Sequence, residues 1–276
     1  MNDGIALAAD DGRRVLLKWH KLRRAAHEPP FDPTNLRAGL AAGASLEVDV
    51  RRLADDAWVC LHDDVLDEET DGAGPVTALA SPEVAGIRIR GAAYPPPLLA
   101  ELVEIIVAAA PSSAILQLDL KEPAATLTER AVAGFAAAVA PVAGRCLLSG
   151  CAWPAVARLG AAVPGLRLGY DPYEDAEGRT LATATDMESL AWETLETAPD
   201  AAIFYLYHRF VAAALDLGVN PLAILKCRGA LVDIWTLDPS TPGIEAILPR
   251  MIAAGADQIT TNAPVALQAL WDARSA

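Results

Sequence analysis

Two carboxylates and a histidine stand out because each interrupts or ends an apolar run. Glu47 and Asp49 lie in the stretch SLEVDV, where they alternate with apolar residues, and His62 ends the stretch WVCLH. Alternate side chains of a β-strand point to the same face, so the two carboxylates would lie side by side. Taking them out of water is costly unless a positive group meets them. The spacing therefore predicts either a solvated strand face or a cation site.

Further charged residues end other apolar runs. Asp119 and Lys121 close the run AILQLDLK and share a face, and His20 closes the run RVLLKWH. Three converging carboxylates would repel one another, and a hard divalent cation such as Mg2+ or Ca2+ resolves this because it takes carboxylate oxygens as ligands. Two histidines beside such an ion can act as acid and base. Lys121 would then face an anionic substrate rather than the metal.

Each of these residues also has a purely structural interpretation. A histidine at a strand end is often a satisfied structural residue, and Asp119 with Lys121 can be a simple salt bridge. Trp235, which ends another apolar run, can be an ordinary core residue. The functional hypothesis depends on the shared position of all these residues at the ends of predicted strands.

The elements that would position them are short β-like runs, each followed by a helix-like run. Eight principal strands are predicted: RVLLKWH, SLEVDV, AILQLDLK, RCLLSG, LRLGY, AAIFYL, ALVDIWTL and DQITT. This alternation favours the α/β class with a parallel sheet, and eight units favour a single (β/α)8 TIM barrel. In such a barrel, chemistry gathers at the carboxyl ends of the strands. An open doubly wound sheet would need a glycine-rich loop after the first strand, and WHKLRRAA is no such loop.

The predicted barrel is one domain over residues 1–276, a length that suits a single domain of this class. WVCLH is predicted to form a hairpin with the second strand. The segment 64–97 is irregular and rich in Gly, Pro and Asp, so we expect a long loop over one end of the barrel.

The overall composition argues against some classes of binding partner. A net charge of −14 and a pI near 4.6 argue against nucleic acid or an anionic membrane, but not against one small anionic substrate. The four cysteines form no CxxC pair, so no disulfide framework or zinc site is expected, and Cys60 and Cys146 are predicted core thiols. The start lacks the pattern of a secretory signal, and no run reaches membrane-spanning length. We expect a cytoplasmic protein without stable membrane insertion.

With these residues in place, the chain resembles the glycerophosphodiester phosphodiesterases. Their pattern opens with a strand-end His-Arg-Gly, then a helix, E-x-D, a strand ending in His-Asp, and a loop containing T-x-G-x-G. The part of the resemblance that is most specific to this family lies in the block 35–76, which includes SLEVDV, WVCLHDD and ETDGAG. Later stretches, QLDLK, VDIWTLD and GADQITTN, resemble the remaining strands in the same order.

The resemblance implies a barrel enzyme that cleaves glycerophosphodiesters into an alcohol and glycerol 3-phosphate. It implies that His20 and His62 are the acid/base pair. It also implies one divalent cation, Mg2+ or Ca2+, and a set of substrate contacts. The implied cation ligands are Glu47, Asp49 and Asp119, and the implied substrate-binding residues are Lys21, Lys121 and Trp235.

Several positions depart from the family pattern. Lys21 and Leu22 stand where the family has Arg and Gly, and lysine lacks the two-pronged grip of arginine on phosphate. One of the next two arginines could compensate. Asp119 is one methylene shorter than the usual Glu, and Asn262 stands where Asp is common.

Other functions stay open at this point. Asp-x-Lys, and a first histidine without the arginine, also resemble the sphingomyelinase D phospholipases, although the chain lacks their secretion signal and their cysteine-bearing loop. Phospholipase D-like action on a lysophospholipid or another phosphodiester is therefore one alternative. It would need an apolar surface near the barrel mouth, for which GIRIRGAAYPPP is the nearest candidate. The other alternative is a barrel that binds a phosphorylated ligand without turnover, and metal-dependent hydrolysis separates it from an enzyme.

Overall fold

Eight parallel strands close into a barrel because the first pairs with both the second and the last. The structure is a computed structural model that describes residues 3–173 and 179–274. Its strands are β1 Ala6–Ala8, β2 Arg14–Trp19, β3 Ser45–Arg52, β4 Trp58–Val59, β5 Ile115–Leu120, β6 Cys146–Gly150, β7 Arg167–Tyr170, β8 Ile203–Tyr207, β9 Leu231–Trp235 and β10 Gln258–Thr261. All except β1 and β4 belong to the parallel barrel, so the predicted (β/α)8 fold is confirmed.

Helices surround the barrel. In the described residues they are α1 Pro33–Ala42, α2 Leu66–Glu69, α3 Leu99–Ala108, α4 Glu129–Val139, α5 Trp153–Ala161, α6 Ala184–Thr197, α7 His208–Asp216, α8 Pro221–Leu225, α9 Ile244–Ala254 and α10 Pro264–Ala273. Helix α1 illustrates how residues at the two ends of a helix determine where it begins and ends. The Asp32 side chain accepts the N–H of Thr34, Pro33 takes the first helical position, and Gly43 ends the helix with a φ of 72°.

Two short strands extend the barrel. β4 pairs antiparallel with the end of β3, which confirms the predicted hairpin. β1 pairs antiparallel with β2 and was not anticipated. Indole N–H groups hold the N-terminal segment in place: Trp19 donates to the carbonyl of Gly4, and Trp271 donates to that of Ala8.

The segment 64–97 contains little regular structure, as predicted. It holds the short helix α2 and two 3-10 turns, Val76–Ala78 and Ser81–Gly86. Val84 and Ile89 are buried, so the segment packs onto the body of the molecule. The Tyr94 hydroxyl also donates to the carbonyl of Pro30.

The core lies between the strands and the helices. Cys60 and Cys146 are buried in it, as predicted, and neither forms a disulfide. Neighbouring strands approach closely at Gly150, where a Cβ atom would lie 2.7 Å from the carbonyl oxygen of Leu120. Only glycine fits there without a shift of the backbone.

Within the described part of the chain, no single helix is long and apolar enough to cross a membrane. One pair, His208–Asp216 with Pro221–Arg228, meets the length and composition criteria together but is bent by 108°.

Candidate active site

A cavity of about 680 Å³ opens at the carboxyl ends of the strands. The predicted site residues that line it are His20, Glu47, Asp49, His62, Asp119, Lys121 and Trp235. Lys21 lies beside it, with its ammonium nitrogen 3.7 Å from an Asp49 oxygen. By contrast, the apolar segment 86–97 supplies no lining residue among those the structure describes.

The acidic cluster is a product of strand register. Asp49 on β3 is directly opposite Asp119 on β5, and Glu47 precedes Asp49 on the same face. One carboxylate oxygen from each of the three residues lies within 4.8 Å of the others. Glu47 and Asp49 are almost fully buried. Such a group of oxygen ligands fits a hard divalent cation.

The pKa shifts of the carboxylates in the cluster also fit a cation site. Burial, together with the charges of Asp49 and Asp119, raises the pKa of Glu47. Burial alone would raise the pKa of Asp49, but the ammonium groups of Lys121 and Lys21 hold it below its usual range. Lys121 lies 2.6 Å from Asp119 and 3.1 Å from Asp49, so it is paired with the cluster.

One atom of the cluster is left without a hydrogen bond. Asp49 Oδ2 is buried and accepts no hydrogen bond from the described residues, and the Lys21 ammonium, 3.7 Å away, lies beyond hydrogen-bond distance. A buried polar atom of this kind costs free energy unless something binds it. The orphaned oxygen therefore fits a site completed by a cation.

Asn262 fixes the orientation and tautomer of His20. The Asn262 amide nitrogen donates to Asp238 Oδ2 at 2.8 Å, so its oxygen faces His20. That oxygen lies 2.8 Å from His20 Nδ1 and also accepts a hydrogen bond from Arg23, which can only donate. Nδ1 therefore carries the proton. The lone pair is on Nε2, 3.9 Å from a Glu47 oxygen.

The two histidines have different surroundings. Burial lowers the pKa of His20 to about 4, against the opposing charge of Asp49. His62 is more open, with 43% of its side chain exposed, and its Nδ1 lies 2.9 Å from an Asp63 oxygen. His20 and the more exposed His62 thus line the same cavity.

The backbone after His20 is left-handed at two successive non-glycine residues. Lys21 has a φ of 53° and Leu22 a φ of 59°. Each such residue costs about 1–2 kcal/mol relative to right-handed backbone. The conformation directs the Lys21 N–H at a Glu47 oxygen, 2.7 Å away, while the Leu22 side chain is fully buried. This backbone explains the glycine of the family pattern, and burial of Leu22 offsets part of the cost here.

Lys21 is held by a residue that the sequence did not single out. Glu69, on α2, places one oxygen 2.8 Å from the Lys21 ammonium, and its other oxygen accepts the backbone N–H of His62 at 2.6 Å. One carboxylate thus joins the segments that carry both histidines. The only signal in the sequence was the acid immediately before the T-x-G-x-G loop.

Glu69→Gln is expected to lower the free energy of unfolding by about 1.5–3 kcal/mol, since hydrogen bonds to charged groups are worth this much. Glutamine can still accept the His62 N–H but cannot offset the Lys21 charge. The matched control is Glu68→Gln on the same turn, whose exposed side chain should give a change within about 0.5 kcal/mol. Urea denaturation measures both. Equal changes would show that the ion pair contributes nothing.

The two arginines that follow Lys21 are not placed to hydrogen-bond a phosphate in the cavity. Arg23 is committed to Asn262 and to the carbonyl of Glu28. Arg24 lies over the Trp19 ring, 5.4 Å from its centroid. Neither lines the cavity as the structure describes it.

A hydrogen-bond chain leads from a buried lysine to the acidic cluster. Lys18 donates to Gln117 Oε1, Gln117 Nε2 donates to Ser149 Oγ at 2.8 Å, and Ser149 donates to Asp119 Oδ1 at 2.7 Å. The direction is fixed because an ammonium group can only donate. Lys18 also pairs with Asp233 at 3.3 Å. The missed signal was a lysine two residues before His20 on the same strand face.

The fold and the site together define a class: a (β/α)8 barrel with an acidic cluster and two histidines at the carboxyl ends of its strands. Residues 34–129 match the model of the glycerophosphoryl diester phosphodiesterase family, which confirms the resemblance predicted from the sequence and the enzyme class that it implies. No curated protein matches the chain in sequence.

Solved structures share the barrel over nearly the whole chain. An Oleispira antarctica phosphodiesterase in complex with the product sn-glycerol-3-phosphate is 20% identical, with a TM-score of 0.65 over 93% of this chain and 96% of its own. A Parabacteroides distasonis glycerophosphodiester phosphodiesterase is 17% identical, with a TM-score of 0.67 over 94% and 98%. The Thermotoga maritima enzyme of the same name is 19% identical, with a TM-score of 0.61 over 93% and 98%.

Proposed function

We propose that this protein hydrolyses glycerophosphodiesters to an alcohol and glycerol 3-phosphate, with the help of one divalent cation. The observation that carries the proposal is the placement of the acidic cluster and both histidines in one cavity. The family match over residues 34–129 supports the substrate class, and the product bound to the Oleispira antarctica phosphodiesterase agrees with it.

Glu47, Asp49 and Asp119 would hold the cation, Mg2+ or Ca2+. When bound, such an ion polarises a phosphoryl oxygen and offsets charge that develops in the transition state. Lys121 and Lys21 already balance part of the negative charge of the cluster. Lys121 lines the cavity and would also face a substrate phosphate, and Lys21 would add positive charge from beside the cavity. Trp235 forms part of the cavity wall.

His20 is the proposed base. Its Nε2 lone pair is available because Asn262 accepts from Nδ1, so it can take a proton from the attacking oxygen. His62 is the proposed acid. Asp63 orients its ring, and its partial exposure leaves it free to protonate the departing alkoxide. Each proton transfer is then made by a group with a fixed orientation.

The test is release of glycerol 3-phosphate from a panel of esters that carry choline, ethanolamine, glycerol and inositol. Each is incubated with Mg2+, with Ca2+, and after chelation. Metal-dependent release from any ester supports the proposal. Hydrolysis of a lysophospholipid but of no ester in the panel would move the assignment to phospholipase D-like chemistry. Binding of glycerol 3-phosphate without any turnover would indicate a ligand-binding barrel.

Ser149 is expected to position Asp119 for the cation. It binds one Asp119 oxygen while Lys121 binds the other, and together they hold the orientation of a carboxylate one methylene short of the usual length. Ser149→Ala should therefore weaken Mg2+ or Ca2+ binding about 10–100-fold, as is typical when a partner of a metal ligand is lost. Titration calorimetry measures this without catalysis. Ser113→Ala, at an exposed position before β5, is the control, and equal affinities in the two variants would refute the role.

A further inference from the structure

One carboxylate in the cavity wall has no part in the proposed chemistry. Asp171 directly follows β7, and one of its oxygens accepts the backbone N–H of Tyr173 at 2.9 Å. It lies outside the metal-type cluster found among the described residues. In residues 3–173 and 179–274 no ion pair reaches it, and Lys121 and Lys18 act on it only at longer range. Burial, with the charge of Asp119, raises its pKa to about 8.

Aromatic rings adjoin this carboxylate in the same cavity. Tyr173 and Trp235 both line it, with centroids 5.3 Å apart and planes at 72°. Tyr207 stacks on Trp235 at 4.8 Å and 27°, which supports that ring. The two rings form a corner in the wall of the cavity that Asp171 also lines, and this corner differs in chemical character from the acidic cluster.

This combination selects one ligand chemistry. The electron-rich face of an aromatic ring attracts a cation, and quaternary ammonium groups are the ligands that aromatic corners commonly recognise. Removing a carboxylate from water without a cationic partner is costly, and an alkylammonium ligand that fills the cavity beside Asp171 would neutralise it. A polyol can donate a hydrogen bond to the carboxylate, but it brings no charge to offset the burial and no cation for the rings.

We infer that Asp171, Tyr173 and Trp235 bind the ammonium group of the departing alcohol, so that the preferred substrates are glycerophosphodiesters of amino alcohols such as choline. This inference rests on the proposed function, because it assigns the alcohol side of the same cavity. The phosphate then lies on the side of Lys121 and the acidic cluster, and the ammonium group lies on the side of β7 and β9.

The first experiment compares kcat/KM for glycerophosphocholine with that for a glycerophosphodiester of glycerol, which is uncharged in its alcohol part. We expect the choline ester to be preferred. The ratio should fall about tenfold in Asp171→Asn and in Tyr173→Leu, because a desolvated cation–ring and carboxylate contact is worth this much. Tyr173 is exposed, so its replacement should not impair folding. Asp64→Asn, an exposed acid on the cavity rim, is the control and should keep the ratio.

A binding measurement separates this inference from the proposed function. Choline is titrated into the protein beside 3,3-dimethylbutan-1-ol, its uncharged isostere, and Asp171→Asn is titrated in parallel. Tighter binding of choline that is lost in the variant supports the subsite, even if no ester is hydrolysed and the proposed function fails. Equal binding of the two alcohols, or an ester preference that survives both substitutions, overturns the inference.

Discussion

His20→Ala is expected to lower kcat for glycerol 3-phosphate release by about a hundredfold to ten-thousandfold, the usual contribution of a positioned acid or base. The variant removes the nitrogen whose lone pair is exposed to the cavity by the hydrogen bond from Nδ1 to Asn262. Alanine offers no proton acceptor, and the cluster of carboxylates is left in place. Initial rates at saturating Mg2+ or Ca2+ measure the effect.

The matched control is His27→Ala, because His27 is exposed and lies away from the cavity lining. It should keep full activity. Calorimetric cation binding and a thermal melt of the His20 variant show whether site and fold survive. If that variant binds the cation, stays folded and retains more than about a third of the rate, the proposed role of His20 as base is wrong.

Glu47→Gln is expected to abolish measurable cation binding and, with it, activity. Glutamine keeps the shape of the side chain and an oxygen that can accept the Lys21 N–H, so the left-handed turn is preserved. It removes one of the three carboxylates on which a hard cation depends. We expect affinity for Mg2+ or Ca2+ to fall by more than about a hundredfold, beyond the range typical for loss of a ligand's partner.

Two comparisons make this result specific. Asp64→Asn removes a negative charge from the cavity rim without touching the cluster, and it should bind the cation as the parent protein does. Chelation of the parent protein should reproduce the inactivity of Glu47→Gln, and added cation should reverse it. Activity that survives both chelation and Glu47→Gln would remove the cation from the proposal.

The strand-end positions could be predicted because they follow from local patterns. Alternation placed Glu47 and Asp49 on one face, and the register of β3 against β5 then set Asp49 opposite Asp119. The carboxyl ends of parallel barrel strands meet at one rim, so residues distant in sequence converge there. The eight strands could also be predicted from local patterns of apolar residues. The structure differs at one end, because β2 ends at Trp19 and His20 begins a 3-10 turn.

What the sequence missed depends on contacts across the fold. The pair formed by Lys21 and Glu69 joins residues 48 positions apart, and the step from Gln117 to Ser149 spans 32. No periodicity links such positions, because their partners are chosen by the packing of loops and neighbouring strands. Lys121 was expected to face an anionic substrate, with a salt bridge to Asp119 as the structural alternative. The structure shows that salt bridge and adds a contact with Asp49 that the sequence did not indicate.

The carboxylate of Glu69 also has an evolutionary consequence. Because it contacts the Lys21 ammonium at 2.8 Å and holds the backbone of His62, positions 21 and 69 are not free to change independently. Arginine at position 21 would present a larger, planar group to the same acid, and loss of the acid would leave a partly buried lysine with less compensation. Substitutions at the two sites are therefore epistatic, and a lineage that exchanges one residue comes under selection to exchange the other.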